Sequence, residues 1–222
     1  MRGSVGRKRR RQPAADHLRH RIDRIDRIAR HLHRTLSIVL AIVLLGVQVA
    51  LIALAALAAT PPAFRSVGTG IAAGATSIII STPPGVVAGD IMIAQVAAHE
   101  NLNNVTSPAG WSLIRLDKGG GGSITQGLWW KEASNSEPTS YTWTVTSQNE
   151  MSGAIAAYTG VDPGSPINAH GGIVSSNTTD VVAPSIVTTV SDTLLVGFWA
   201  VRDQTTVTPP GVMTERWDFD NA

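Results

Sequence analysis

The chain has 222 residues, a formal net charge of +2 and no cysteine, which excludes disulfide frameworks and thiol nucleophiles. The small net charge conceals two oppositely charged parts. Residues 1–34 carry 12 basic and three acidic side chains, whereas residues 60–222 carry six basic and 13 acidic ones. Residues 35–64, which join these parts, contain no charged side chain.

Residues 1–15 are basic, contain proline and have almost no large apolar side chain, so they are predicted to form a disordered tail. Basic residues next to a membrane span stay on the cytoplasmic side, which predicts a cytoplasmic N-terminus and an exported C-terminal part. Because topology accounts for the basic cluster, no nucleic-acid partner is expected. The residues assigned to topology are Arg7, Lys8, Arg9, Arg10, Arg11, Arg30 and Arg34.

Residues 16–36 are predicted to form an amphipathic juxtamembrane helix, because their apolar residues are spaced four and three apart in alternation. Three interpretations remain open at this stage. The helix is a solvated extension of a transmembrane helix, a short parallel coiled coil that makes the protein a homo-oligomer, or a basic helix that lies on anionic lipid. The apolar residues are Leu18, Ile22, Ile25, Ala29, Leu32 and Leu36.

Residues 37–59 are predicted to be a transmembrane or signal-anchor helix, which makes the lipid bilayer a partner. The apolar core 38–59 would extend roughly 33 Å as a helix, enough to cross a hydrocarbon layer of about 30 Å. Both this core and the basic region before it are longer than in cleavable signals, which favours an uncleaved anchor. Cleavage after Ala58, in the small-residue sequence Ala56-Leu57-Ala58, would instead give a secreted protein.

Residues 60–73 are predicted to be a linker, and residues 74–222 an all-β sandwich or jelly roll. Short runs rich in β-branched and aromatic residues alternate there with Gly, Pro, Asn and Ser. Two of these runs, 90–97 and 193–201, are apolar on both faces and are expected to lie centrally. The nine predicted strands are 76–81, 90–97, 111–117, 124–132, 140–147, 153–159, 167–174, 181–190 and 193–201.

Several short motifs follow one another in order over residues 67–219. They are Gly89-Asp90, Pro108-Ala109-Gly110-Trp111, Trp129-Trp130-Lys131, Glu137-Pro138 before Tyr141-Thr142-Trp143, residues 154–162, Ser165-Pro166-Ile167-Asn168, residues 194–198 and residues 213–217. In this order they resemble a β-sandwich domain recurrent in bacterial secreted, cell-surface and phage-tail-like proteins. The resemblance implies a fold and a location, often beside adhesion or carbohydrate-recognition modules, and no catalytic residues. Similar domains continue past the last motif, so the resemblance leaves open whether the domain is complete at Ala222.

The sequence offers little support for catalysis or metal binding. His99, Glu100, Asp162 and His170 lack the spacing of metal ligands, and no nucleophile-elbow motif is present. We therefore expect no enzyme activity, no metal and no cofactor. A carboxylate pair for glycoside hydrolysis is a spatial property that sequence alone does not reveal.

Tryptophan provides the better candidate for a ligand-binding site, since all six tryptophans follow residue 110. Trp129 and Trp130 are adjacent in a predicted strand, so their side chains point to opposite faces and cannot both fill one core. An exposed indole is a platform for a sugar ring or a protein partner. The alternative is that the outer ring packs beneath a loop.

Three functions follow in order of preference. The first is a membrane-anchored extracellular β-sandwich for surface adhesion or ligand binding, with a glycan or a protein as the ligand. The second is a structural assembly module of a surface layer or a phage-tail-like particle. The third is an extracellular glycan hydrolase.

Overall fold

The computed structural model describes residues 13–55, 60–99, 104–119, 124–175, 180–202 and 207–219. The chain divides into two compact units, and the boundary falls between Ala58 and Ala59. The first unit is helical and the second contains the strands. Each unit is described by itself below.

Helix α1, Pro13–Ala55, is a single unbroken α-helix of 43 residues. The amphipathic segment 16–36 thus continues into the apolar segment without a break in the helix. Two hydroxyls near the start of the apolar part donate to carbonyl oxygens one turn earlier, Thr35 Oγ1 to His31 at 3.0 Å and Ser37 Oγ to His33 at 2.8 Å. Because these bonds satisfy the two hydroxyls within the helix itself, neither hydroxyl needs a partner outside the helix where its surface becomes apolar.

The stretch Arg24–Leu45 of α1 has a mean hydropathy of 1.5, and none of its side chains is buried. By length and composition it qualifies as a membrane span or a signal anchor. Arg30 and Arg34 are exposed on this helix. The other predicted topology residues, 7–11, and the cleavage site at residues 56–58 lie outside the described residues.

The second unit contains one antiparallel sheet of six strands, β1 Ala63–Ser81, β2 Ile91–His99, β3 Val105–Thr106, β4 Ser112–Lys118, β5 Ile124–Glu132 and β6 Ser140–Thr159. Their order in the sheet is β1-β6-β2-β5-β4, with the short β3 also paired to β6. Three of the predicted strands fall within β1 and β6, two others start one residue before β2 and β4, and a sixth coincides with β5.

The two strands that pair along one edge of the sheet are longer than the sequence pattern predicts. β1 starts at Ala63, so most of the predicted linker 60–73 is strand, and β6 joins the predicted strands 140–147 and 153–159 into one. The added part of β1 is rich in glycine and alanine, which have low β propensity. Its pairing with β6, for example Val67 with Ala156, holds it in the sheet despite that composition.

β1 folds back on itself around Gly74, which has φ of +57°. A Cβ atom on Gly68 would collide with the carbonyl oxygen of Ser81, and one on Gly70 would collide with that of Ile79. The two arms of β1 therefore touch through their backbones, which only glycine permits. Both arms pair with β6, the first with its C-terminal part and the second with its N-terminal part.

The core lies on one face of the bent sheet and receives side chains from β1, β2, β5 and β6. Alternation in β6 is as predicted, since Tyr141, Trp143 and Val145 all point into it. Its buried members are Ile78, Ile80, Met92, Ala94, Val96, Ala98, Trp111, Trp129, Ala133, Tyr141, Trp143, Val145, Met151, Ile155 and Ala157.

The last three predicted strands, 167–174, 181–190 and 193–201, are wrong in their described residues, which form no strand. Side-chain hydrogen bonds replace a backbone ladder between the first two. The Asn168 side chain donates from Nδ2 to Thr189 Oγ1 at 2.9 Å, and its Oδ1 accepts from the Thr189 backbone at 2.9 Å. The architecture is compatible with a β-sandwich, but a sandwich or jelly-roll topology does not follow from the observed strand order.

Candidate functional site

Trp129 and Trp130 lie in the middle of β5 with their rings on opposite faces of the sheet. Trp129 is 2% exposed, and its ring centroid lies 6.1 Å from that of Trp143 in the core. Trp130 is half-buried on the other face, opposite Ile93 of β2 and Ser112 of β4. Trp129 therefore presents no ring to a ligand in this structure, whereas Trp130 presents part of one.

Two further tryptophans belong to the same aromatic core as Trp129. Trp111 contacts Tyr141 and Trp143 edge-on, each with ring centroids 5.2 Å apart. The ring nitrogens of Trp111 and Trp143 and the Tyr141 hydroxyl are buried without a hydrogen-bond partner among the described residues. The packing of these rings accounts for their positions, so we assign them to stability.

The face that carries Trp130, here called the second face, also carries the described C-terminal segments 196–202 and 207–219. Gln95 of β2 donates from Nε2 to the Trp199 carbonyl oxygen at 2.9 Å, and the Arg216 guanidinium lies 4.3 Å from the Phe64 ring centroid. His99, at the end of β2, accepts from Arg202 Nε at 3.2 Å. The segment thus touches the second face at β1 and β2, and Trp130 lies one strand further along, on β5.

A cleft of about 540 Å³ opens at the end of the sheet, between the β1–β2 and β5–β6 connections. The apolar part of its lining includes residues 86–88. Other lining residues present hydroxyl, amide and carboxylate groups, from Thr82, Ser134, Asn135, Glu137 and Thr139. Such a mixture of hydroxyls and apolar groups suits a neutral polar ligand.

Glu137 is the charged residue of this cleft. Its Oε1 lies 2.6 Å from Lys131 Nζ and accepts from the Ser134 backbone at 2.5 Å. Burial acts to raise the pKa of the Glu137 carboxyl, but the hydrogen bonds from Lys131 and Ser134 outweigh it and the pKa is lowered. A general acid for glycoside hydrolysis needs the opposite, a raised pKa.

Asp90 is a second buried carboxylate at this end of the sheet, 1% exposed. Arg65 of β1 holds it with two nitrogens, at 2.6 Å to Oδ2 and 3.0 Å to Oδ1, and the Val87 backbone donates to Oδ2 at 2.9 Å. Bidentate pairing of this kind fixes the β1–β2 connection in place. Asp90 and Glu137 thus each form an ion pair, with Arg65 and Lys131 respectively.

The residues considered for a metal site take part in separate, unrelated contacts. His99 bonds to Arg202, Asp162 caps the turn after β6 by accepting from the Gly164 backbone at 2.9 Å, and His170 is exposed. Glu100 lies outside the described residues. Within the described ranges no group of three His, Asp or Glu side chains is placed to hold a metal ion.

Tyr158, on the second face, gives a testable pH dependence. Burial raises its pKa to about 12, although the nearby Arg216 acts to lower it. The folded chain therefore keeps the phenol proton to higher pH than the unfolded chain, whose tyrosine titrates near 10. This contribution to stability is fully present below about pH 10 and is lost as pH rises towards about 12.

We expect wild type to lose about 1.4 kcal/mol more unfolding free energy than Tyr158→Phe between about pH 9 and pH 11, since one pKa unit corresponds to about that energy. Urea titration of both chains at the two pH values, followed by tryptophan fluorescence, measures the difference. Parallel pH profiles for the two chains would contradict the assignment.

No protein-family model, curated protein or solved structure matches this chain. The antiparallel sheet is compatible with a β-sandwich, and no match supports the resemblance to a domain recurrent in surface proteins.

Proposed function

We propose that this protein is a single-pass membrane protein whose N-terminus is cytoplasmic and whose β-sandwich unit is displayed outside the cell, where it binds a surface ligand without catalysis. The observation that supports binding best is Trp130, an indole left half-buried on the second face while Trp111, Trp129 and Trp143 fill the core. A flat apolar ring partly in water is the group that stacks on a sugar ring or a protein side chain. A glycan is our first choice of ligand.

The charge distribution supports the membrane orientation. The basic residues precede the apolar part of α1, whereas the β unit that follows is acidic, with 13 acidic and six basic residues from position 60 onward. The cytoplasmic side retains basic flanks, and acidic residues do not oppose export. This arrangement supports an anchor with the strands outside.

The ion pairs of the cleft support binding over hydrolysis. A retaining or inverting glycosidase needs one carboxyl group kept protonated by a raised pKa and a second carboxylate facing it across the bond. Glu137 has a lowered pKa and Asp90 is bonded twice to Arg65. Neither Glu137 nor Asp90 is therefore suited to act as the general acid.

The absence of cysteine makes the orientation easy to test. Ser4→Cys marks the tail, and Val212→Cys marks the β unit at a side chain that is 98% exposed. We expect a membrane-impermeant maleimide to label Val212→Cys on intact cells and Ser4→Cys only after lysis. Labelling in the reverse order would overturn the orientation.

Ligand binding is tested with the full chain in detergent on an array of surface polysaccharides. Wild type is expected to bind at least one polymer, and Trp130→Ala to bind it about tenfold more weakly, since stacked rings contribute about 1 kcal/mol beyond their buried area. Val212→Ala, a change at an exposed site, is the matched control and should bind as wild type does. No binding by wild type, or equal binding by Trp130→Ala, would refute the proposal.

One observation favours the second candidate, a structural module of an assembly. The C-terminal part 167–201 has the composition of strands but forms none in its described residues, and it leaves apolar side chains in water, such as Val187 at 83% and Leu195 at 63% exposure. Neighbouring subunits would cover these side chains in an assembly. Sedimentation of the full chain in detergent should then show large particles that Val187→Ser and Leu195→Ser make smaller, whereas particles no larger than a dimer would exclude this candidate.

A further inference from the structure

The surface of α1 carries an apolar stripe longer than the amphipathic segment from which it starts. Its positions are separated by 4, 3, 4, 3, 4, 3 and 4 residues, a spacing that holds one face of a helix over more than three heptads. Wherever their side chains are described, these residues are exposed, Ile25 at 63% and Leu32 at 69%. The heptad stripe consists of Leu18, Ile22, Ile25, Ala29, Leu32, Leu36, Val39 and Val43.

Lipid does not cover the basic half of the heptad stripe in a continuous helix. A helix that first lies on a bilayer and then crosses it must turn sharply, and sharp turns occur at proline, glycine or broken hydrogen bonds. Residues 14–45 contain neither proline nor glycine, and α1 is helical throughout Pro13–Ala55. With residues 37–59 as the membrane span, the basic half therefore extends away from the membrane, with its apolar residues in water.

We propose that the heptad stripe is covered by the same stripe of a second copy of this chain, in a parallel two-stranded coiled coil. The proposal rests on the membrane anchorage proposed above, because copies inserted in one membrane with one orientation present their stripes side by side and in the same direction. Apolar burial drives the association in the aqueous half, where exposed isoleucine and leucine side chains are costly.

The charges beside the stripe fit the parallel arrangement. With Ile22 at position a and Ile25 at position d, Arg21 occupies position g and Asp26 the following position e. In a parallel coiled coil, a residue at g lies beside the next e position of the partner helix. Arg21 therefore meets Asp26 of the second copy, and symmetry makes this attractive pair twice. An antiparallel pair sets g against g and e against e, and the Arg21–Asp26 contact is not made.

Cross-linking of the full-length protein in its membrane tests the contact directly, since wild type has no cysteine. Leu32→Cys lies at position d and Arg34→Cys at position f, two residues apart and at nearly the same distance from the bilayer. Disulfides require Cα atoms within about 7 Å, so the d position should form covalent dimers at least about tenfold faster than the f position under copper phenanthroline. Ile25→Cys (d) and Arg24→Cys (c) should repeat the contrast one heptad earlier.

A charge exchange tests the direction of the pairing. Asp26→Arg places two arginines together and should lower dimer formation by Leu32→Cys about fivefold, and adding Arg21→Asp should restore it. Asp23→Arg is the matched control, because it makes the same charge change at position b. Each change also places an arginine where an aspartate precedes another arginine by four residues in the sequence, Arg27 for Asp23 and Arg30 for Asp26. We expect this control to leave dimer formation unchanged.

Three results would overturn the coiled coil. Equal cross-linking at Leu32→Cys and Arg34→Cys would indicate random collision between monomers. Absence of cross-linking, with Leu32→Cys shielded from a water-soluble maleimide after lysis, would place the stripe on lipid. Equal effects of Asp23→Arg and Asp26→Arg would show that the helices do not pair in the parallel register. Labelling of Ser4→Cys and Val212→Cys reports the anchorage separately, so its failure is distinguishable from failure of the dimer.

Discussion

Replacing Trp143 with alanine is expected to lower the free energy of unfolding of the β unit by about 4 kcal/mol, within the range for large aromatic residues deleted from a core. Trp143 is fully buried, and its ring lies 5.2 Å from Trp111, 6.1 Å from Trp129 and 6.3 Å from Tyr141, centroid to centroid. Its removal leaves a cavity that these rigid rings cannot fill. Urea unfolding of the full chain in detergent measures the loss, because every tryptophan lies outside α1.

Trp130→Ala is the matched control for this experiment. It deletes the same side chain from the same sheet, but from a half-buried position on the second face. We expect a loss of roughly 1.5 kcal/mol, since less area returns to water and no closed cavity forms. Equal losses for the two variants would mean that the face assignment of β5 and β6 is wrong.

Replacing Arg65 with methionine is expected to cost about 3 kcal/mol of unfolding free energy, as is typical when one partner of a buried ion pair is removed. The methionine keeps an apolar stem of similar length, so the change isolates the charge. Asp90, whose side chain is 2% exposed, would then lose both bonds to Arg65 and keep the bond from the Val87 backbone. The β1–β2 connection, which this carboxylate organises, should loosen.

Arg115→Met provides the comparison. Arg115 of β4 forms a similar ion pair with Asp117 at 2.6 Å, but the Asp117 carboxylate is more exposed than that of Asp90. The side chain of Asp117 is 26% exposed, so water compensates for the lost partner and we expect a cost of about 1 kcal/mol or less. The same urea titration serves both variants. A smaller loss for Arg65→Met than for Arg115→Met would contradict the role of the buried pair.

The positions of the tryptophans restrict where a ligand can bind. Three of the six are committed to the core, and Trp217 packs on Phe198 with ring centroids 5.7 Å apart. Trp130 on the second face and the hydroxyl-lined cleft at the end of the sheet are the two surfaces that we propose for recognition. The proposed anchor would hold both on the outer side of the membrane, and the proposed coiled coil would present them in pairs.

Local sequence determined the features that depend on short-range periodicity. Helix α1 follows from the 4-3 spacing of its apolar residues and from the absence of proline and glycine over residues 14–45. β5 has the predicted bounds, and the opposite orientation of Trp129 and Trp130 follows from the two-residue period of any strand.

Tertiary structure decided the features that depend on distant partners. The Gly- and Ala-rich start of β1 has little strand propensity and becomes a strand because β6 pairs with it. The Val- and Ile-rich segments 167–174 and 181–190 have that propensity and remain unpaired where they are described, linked instead through Asn168 and Thr189. A strand is completed by hydrogen bonds to another part of the chain, so its own residues make it possible but do not determine whether it forms.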